Sequence, residues 1–500
     1  MQKNILEYLE KSATNFPDKI AIEDKSSNIS FSNLKNSSKA IATHLQKLNI
    51  KKNMPIATFL PKSISAIQAF LGIVYNGDFY VPLDVKNPLD RIKAIINNMQ
   101  IKYIITDKSY SNFFKEFDIN LILFDDINLN EYQTFNDTNF NLSLDTDVLH
   151  VLNTSGSTGV PKGVTIPHRS IIDYIDWITN EYKYDDSLII GNQSPLNFDI
   201  STSDIFMTLA TGCKLILIDE QLFMFPAKLI EFLEQKDINF VFWVPSILSN
   251  ISKLDLLKNS NLKIKSVWCG GELMPTKHLK YWQKHLPNTI YVNTGGATEV
   301  GVVCTHYKIE RKFNDEELLP IGQACKNMQA FILDENNNLI DKADIVGELC
   351  IKGSALALGY YNNPEKTAQS FVQNPLNKAY PEKIYRTGDL AYYNENKELF
   401  YKGRKDFQIK HMGYRIELGE IETAVLAMQN IDNACTLYDK ENSNIILIYE
   451  SKTKASQKEI LLELRDKLPK YMLPTKFICL DEMPLNANGK IDRKKLQTMI

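Results

Sequence analysis

Residues 152–169 read LNTSGSTGVPKGVTIPHR, with two Gly, two Ser and two Thr packed into TSGSTG. A loop of this composition can turn backbone N–H groups and hydroxyls toward phosphate oxygens, and Lys162 adds a cation beside them. The string is not a Walker loop: that pattern has Gly directly before the Lys, and here Pro161 stands there. A flexible surface turn ahead of a helix at HRSIIDYIDWI is the competing reading of a generic Ser/Gly loop. The continuation PKGV weighs against it.

Outward from this loop, apolar strand-like runs alternate with helical patterns. KLILID (214–219), NFVFWVP (239–245) and IKSVWCGG (264–271) read as strands. PAKLIEFLEQ (226–235) and TKHLKYWQKHL (276–286) read as helices. Alternation of this kind predicts an α/β architecture with a largely parallel sheet. The texture changes near residue 400. ELFYKGRKDFQIKHMGYRIE (398–417) reads as a strand, a charged Gly-containing segment and another strand, followed by a helix, further strands and a second helix. The pattern predicts a large N-terminal α/β domain over 1–403 and a small α+β domain over 404–500. GRKD (403–406) is the candidate linker. At 500 residues the chain exceeds what one compact core organises, which agrees with two or more domains.

Composition narrows the function classes. A net charge of −3 gives no basic footprint for nucleic acid. No stretch of eighteen apolar residues occurs, so no spanning helix and no membrane role are expected. The charged, amphipathic start MQKNILEYLEKSATNF lacks the apolar core of a signal peptide. Seven scattered cysteines without a CxxC pair suggest neither zinc nor disulfides, but buried reduced thiols in a cytoplasmic protein.

TSGSTGVPKGV resembles the phosphate loop of the adenylate-forming superfamily: acyl-CoA synthetases, luciferases and nonribosomal peptide synthetase adenylation domains. The resemblance spans nearly the whole chain. GDFYVPLD (77–84), PIGQA (320–324), GELCIKGSALALGYYNNP (347–364), YRTGDL (385–390), GRKDFQIKHMGYRIELGEIE (403–422) and PLNANGKIDRKKL (484–496) follow in the family's order and spacing. It implies the adenylate-forming fold, with a mobile C-terminal lid, and ATP with Mg²⁺ as cofactors. In such enzymes a substrate carboxylate attacks the α-phosphorus of ATP and pyrophosphate leaves, so the protein positions the reactants and stabilises developing charge.

The resemblance assigns roles residue by residue. Thr154, Ser155, Gly156, Ser157, Thr158, Gly159 and Lys162 would cradle phosphates. Lys490, in NANGK, matches the family's catalytic lysine, and such a cation counts most in a dry site. Asp389, in YRTGDL, would accept both ribose hydroxyls, with Arg404 as a donor fork beside it. Glu299, in NTGGATE, would hold Mg²⁺ through hard carboxylate oxygens, and Thr298 would bond a phosphate. Here the sequence departs from the family, which carries Tyr, Gly and Pro where this chain has Gly295, Gly296 and Ala297. The Tyr that stacks on adenine is therefore absent. Asp406 occupies the family's hinge position.

Asp199, in SPLNFDISTSD, matches the carboxylate that pairs with the α-ammonium in amino-acid-activating members; a helix N-cap is its plainer reading. By alignment the substrate pocket is lined by Asp199, Ile200, Ser203, Phe242, Trp268, Gly270, Thr294, Val302 and Val303. Lys490 would stand at its mouth, so that Asp199 and Lys490 anchor the ammonium and carboxylate; with no charge on the remainder and two bulky aromatics, the pocket predicts a small amino acid: alanine, glycine or serine. NQSPLNFDIS and GRKDFQIKHMGYRIELGEIE resemble D-alanine–carrier protein ligases and stand-alone adenylation domains most. No phosphopantetheine-serine carrier motif occurs within the 500 residues, which implies a phosphopantetheinylated carrier protein in trans. Two alternatives stand beside this reading: an acyl-CoA ligase for a small acid, and a catalytically impaired nucleotide-binding module.

Overall fold

The computed structural model describes residues 2–156, 160–440, 442–451, 455–484 and 491–499. Ser157, Thr158, Gly159 and Lys490 lie outside the described residues. The chain divides into two compact units. The first comprises Met1–Val85, Gln100–Leu152 and Val164–Lys405; the second comprises Lys86–Met99, Asn153–Gly163 and Asp406–Ile500.

Within the first unit, a sheet runs in the order Gln323–Ala324, Thr305–Lys308, Ile290–Gly295, Ser266–Cys269, Phe240–Trp243, Ile189–Asn192, Lys214–Leu217, Ile20–Glu23, Asn28–Ser30. Its middle strands pair parallel, residue Phe242 beside Trp268 and Trp268 beside Val292. Helices Pro226–Gln235 and Thr276–His285 connect them, as the alternating pattern requires. These strands are buried throughout, so they read as continuous apolar runs and not as alternation. A second sheet includes Val148–Thr154 and Lys162–Pro167, which flank the Gly-rich loop, and the pair Gly359–Tyr360 at its edge. A third, antiparallel sheet carries Gly347–Gly353, Lys383–Tyr393 and Leu399–Arg404.

The second unit holds two β layers. Asn433–Asp439 and Asn444–Glu450 pair antiparallel, and Lys476–Leu480 adds in parallel. Helices Leu418–Leu426 and Gln457–Lys467 accompany them, the latter opened by a capping box between Ser456 and Glu459. Ile416, Ile421, Leu447 and Leu464 form part of its core, each fully buried.

Two readings from the sequence change here. Gly403 and Arg404 of the expected linker belong to strand Leu399–Arg404, paired with Leu390 and Asp389. The segment after Asp406 is a hairpin, Gln408–His411 with Tyr414–Glu417, and not one strand. Met412 and Gly413 turn it with φ of 53° and 82°, the positive-φ pair that a two-residue I′ turn needs. All seven cysteines are free and six are buried, while Cys479 is exposed. No described helix is long and apolar enough to cross a membrane.

Candidate functional site

Asp199 opens helix Asp199–Thr211, with Phe198 as its cap residue. It is half-buried. Its Oδ1 accepts the Ile200 N–H at 2.8 Å and its Oδ2 accepts the Thr298 hydroxyl at 2.8 Å. The helix N-terminus favours the ionised carboxylate there. The other aspartate of the motif behaves differently. Asp204 is fully buried one turn on, and burial pushes its carboxyl up to about 7, against the hydrogen bond from Asn192 Nδ2 at 2.8 Å. Asp204 is thus a core group, whereas Asp199 lies half-buried at the helix N-terminus.

Thr298 and Glu299 sit on the short turn Thr298–Val300 that follows strand Ile290–Gly295. Thr298, which the resemblance expects to bond a phosphate, donates its hydroxyl to Asp199, joining the NTGGATE and SPLNFDISTSD segments. Glu299 is fully buried, and its Oε1 accepts the Tyr360 hydroxyl at 2.8 Å. Tyr360 was not picked out from the sequence, although it stands inside the quoted GELCIKGSALALGYYNNP. The glycines before the turn are steric requirements. A Cβ at Gly296 would lie 2.2 Å from the Val302 carbonyl oxygen. A Cβ at Gly295 would lie 2.5 Å from Thr305 Oγ1 and 3.4 Å from Ile321. The space from which an aromatic side chain at 295 would start is therefore filled.

Phe242, Trp268 and Thr294 lie on three neighbouring strands, and Gly270 directly follows the middle one. Both aromatics are within 1% of complete burial, with ring centroids 5.8 Å apart. Trp268 also packs on Tyr182 at 4.8 Å and Trp177 at 6.1 Å, and its Nε1 donates to Tyr184 Oη at 2.9 Å. The indole is consequently held by the core on several sides. Removing a buried Trp costs about 3–5 kcal/mol, so a Trp268→Ala test of specificity would be confounded by unfolding. A Cβ at Gly270 would lie 2.2 Å from Thr294 Oγ1, so only glycine fits. Ser203 and Tyr174 share a buried hydrogen bond of 2.9 Å, and Val302 and Val303 are buried. Ile200 is partly buried against the same core.

Asp389 and Arg404 face each other across adjacent strands of the third sheet. Arg404 Nη1 donates to Asp389 Oδ1 at 2.7 Å and to the Thr387 carbonyl at 3.0 Å. The Asp389 N–H donates to Thr387 Oγ1 at 2.9 Å within strand Lys383–Tyr393, which helps to fix the backbone that carries the carboxylate.

In the second unit, Thr154 ends one strand and Lys162 begins the next, with Ser155 and Gly156 buried between them. A Cβ at Gly156 would lie 2.0 Å from the Val160 carbonyl oxygen, so the loop closes on itself only with glycine there. Asp406 is the first residue of this unit's C-terminal segment, and its Oδ1 accepts the Gln408 N–H at 3.2 Å.

Comparison with known proteins places this chain among adenylating enzymes. The family model for AMP-binding enzyme matches residues 9–361, and that for the AMP-binding enzyme C-terminal domain matches residues 420–490. Zwittermicin A synthase ZmaJ of Bacillus cereus is 31% identical, over 99% of this chain and 95% of its own length. Tyrocidine synthase 1 of Brevibacillus parabrevis is 31% identical over 99% of this chain, which spans only 45% of that protein. Among solved structures, PA1221, an NRPS protein containing adenylation and PCP domains, aligns over 100% of this chain and 84% of its own at a TM-score of 0.86 and 22% identity. The o-succinylbenzoate CoA synthetase of Bacillus subtilis aligns over 99% of this chain and 98% of its own at 0.85 and 19%. At these identities both structures speak to the fold alone.

Proposed function

The chain belongs to the AMP-binding enzyme family and is an adenylate-forming ligase of the nonribosomal peptide synthetase adenylation type, and from that premise we propose that it activates a small amino acid as its aminoacyl-AMP and passes it to a carrier thiol. The observation that carries the choice of an amino acid is Asp199. A carboxylate at a helix N-terminus, oriented by two hydrogen bonds, is suited to an α-ammonium group and unsuited to a plain acid.

In this reading Asp389 receives the ribose hydroxyls and Arg404 aligns it. Mg²⁺ keeps several waters and takes phosphate oxygens as ligands, so one hard carboxylate from the protein suffices. Glu299 would supply it, held by Tyr360. The metal would neutralise phosphate charge as pyrophosphate departs. Lys490 would bring its ammonium to the reacting carboxylate and α-phosphate. The acceptor is the phosphopantetheine thiol of a carrier protein. Phe242, Trp268 and Gly270 limit the side chain to alanine, glycine or serine.

ATP–pyrophosphate exchange across L- and D-amino acids, with propionate and benzoate alongside, tests this. Fastest exchange with a small amino acid is expected. Fastest exchange with propionate would make the enzyme an acyl-CoA ligase of the kind that shares this fold. Fastest exchange with phenylalanine, leucine or lysine would end the small-pocket reading.

Two narrower predictions follow from the geometry. Glu299→Gln is expected to raise the Mg²⁺ concentration for half-maximal exchange, because one anionic ligand is lost. Tyr360→Phe should raise it too, by about threefold to tenfold, the size of a modest charge-assisted hydrogen bond. A magnesium titration overlaying wild type would reject both roles. Asp406→Pro fixes φ where the second unit's C-terminal segment begins. It is expected to slow thioester formation more than adenylation, as a stiffened hinge would. Equal rates for wild type and variant in the thioester step would remove the hinge.

A further inference from the structure

The described donors of the Gly-rich loop are not simply turned to solvent. The Gly156 N–H donates to Glu420 Oε2 at 3.1 Å. Lys162 Nζ donates to Glu417 Oε1 at 3.1 Å. The Ser155 hydroxyl donates to the Arg415 carbonyl at 2.7 Å and accepts the Glu417 N–H at 3.2 Å. An amide, an ammonium and a hydroxyl on one loop are the groups a phosphate would use, and each is engaged by residues 415–420 of the same compact unit.

These contacts are built and not incidental. Glu420 is 1% exposed and forms a buried ion pair with Arg91 on helix Leu89–Met99. Burial pushes its carboxyl up, and Arg91 and the Gly156 N–H oppose that. Glu417 also accepts from Gln408 Nε2 at 2.6 Å, and Gln408 is in turn held by Arg415 Nε at 2.6 Å. Two carboxylates thus stand at the positions where the loop would present its donors to phosphate oxygens. A triphosphate cannot share those donors with them, because like charges at hydrogen-bond range repel strongly in a buried setting.

We propose that Glu417 and Glu420 are internal anionic ligands of the phosphate loop: they hold its donors when phosphate is gone, and Mg-ATP must displace them to bind. This rests on the reading that residues 154–162 bind ATP phosphates. Within a turnover, departure of pyrophosphate leaves the loop's donors without an anion, and the two carboxylates take its place. They are positioning residues: the exchange opposes the return of pyrophosphate and sets residues 406–420 for the thioester step.

The test is the dissociation constant of a non-hydrolysable ATP analogue with Mg²⁺, measured calorimetrically on the full chain. Wild type and Lys162→Ala are compared first. No binding by wild type, or binding that Lys162→Ala leaves unchanged, defeats the assignment of the loop itself. If Lys162→Ala weakens binding, Glu417→Gln decides the proposal. It keeps the shape and the acceptor oxygen but removes the competing charge, and is expected to tighten analogue binding by about fivefold to tenfold, the size of ~1 kcal/mol of lost competition. As a second variant should Glu417→Gln fail to fold, the pair Arg91→Gln with Glu420→Gln removes both buried charges together and leaves none orphaned. Tighter binding in either folded variant supports the proposal. Unchanged or weaker binding in every variant that folds overturns it.

Discussion

Asp199→Asn is expected to reduce amino-acid-dependent pyrophosphate exchange by about 30-fold to several thousandfold, with little change in overall stability. The substitution is nearly isosteric: the single Asn oxygen can still accept the Ile200 N–H, and its NH2 can donate to the Thr298 hydroxyl oxygen where Asp199 now accepts from it, so both contacts can be kept with the second reversed. What it removes is the negative charge facing the substrate's ammonium. In the free enzyme that carboxylate is half-buried at a helix N-terminus, so losing it costs the fold little. Once a substrate covers it, the ammonium is left desolvated without a counter-charge, and losing one partner of such a pair costs about 2–5 kcal/mol. The loss should fall on kcat/KM for amino acids and not for the matching acid without the amino group: alanine should suffer and propionate should not. Thr298→Val is the companion test, since it frees the carboxylate to reorient while leaving its charge. An intermediate loss is expected. If Asp199→Asn lowers exchange with alanine and propionate equally, Asp199 serves the fold or the nucleotide and not the ammonium.

The motifs were legible because their chemistry is local. Gly-rich strings, a Gly-Asp turn and a Thr-Glu pair announce themselves by composition, and the strands Phe240–Trp243 and Ser266–Cys269 fall inside apolar runs flanked by helical periodicity. What joins the motifs was not legible. Thr298 meets Asp199 across 99 residues, Tyr360 meets Glu299 across 61, and Glu420 meets Gly156 across 264. Pairings at that separation leave no periodicity in the chain. The same applies to Trp268. Its position on a strand follows from the pattern, but its burial depends on Trp177, Tyr182 and Tyr184, which arrive from another element. The hairpin at 408–417 was read as one strand because its turn, Met412–Gly413, contains only one of the residue types that signal a two-residue turn. Gly295 shows the reverse case. The departure from the family was visible in the sequence, while its consequence, the filling of the site by Thr305 and Ile321, needed the packing.

Lys490→Ala is expected to reduce pyrophosphate exchange by about 10²–10³-fold, the usual effect of removing one preorganised charge contact from a transition state. Lys490 lies outside the described residues, within PLNANGKIDRKKL (484–496), whose described flanks are well anchored. Upstream, Met483 is buried in a small apolar cluster; downstream, Leu496 is fully buried in the same one. Arg493 donates from Nη2 to both Glu422 oxygens at 2.5 Å and lies 4.2 Å over the Phe407 ring. Asp492 caps the short helix that follows. These anchors hold the segment on both sides, and Lys490→Ala is expected to leave the unfolding temperature unchanged. The kinetic signature is the asymmetry. Adenylation develops negative charge on the α-phosphoryl oxygens and needs the cation; attack of a thiol on a preformed aminoacyl-AMP does not. Supplied with aminoacyl-AMP, the variant should form thioester at a rate within a few-fold of wild type, while its exchange activity is nearly lost. Equal losses in the two half-reactions would mean that Lys490 binds the adenylate in both and is not confined to the first. An unchanged exchange rate would move the catalytic cation to another residue.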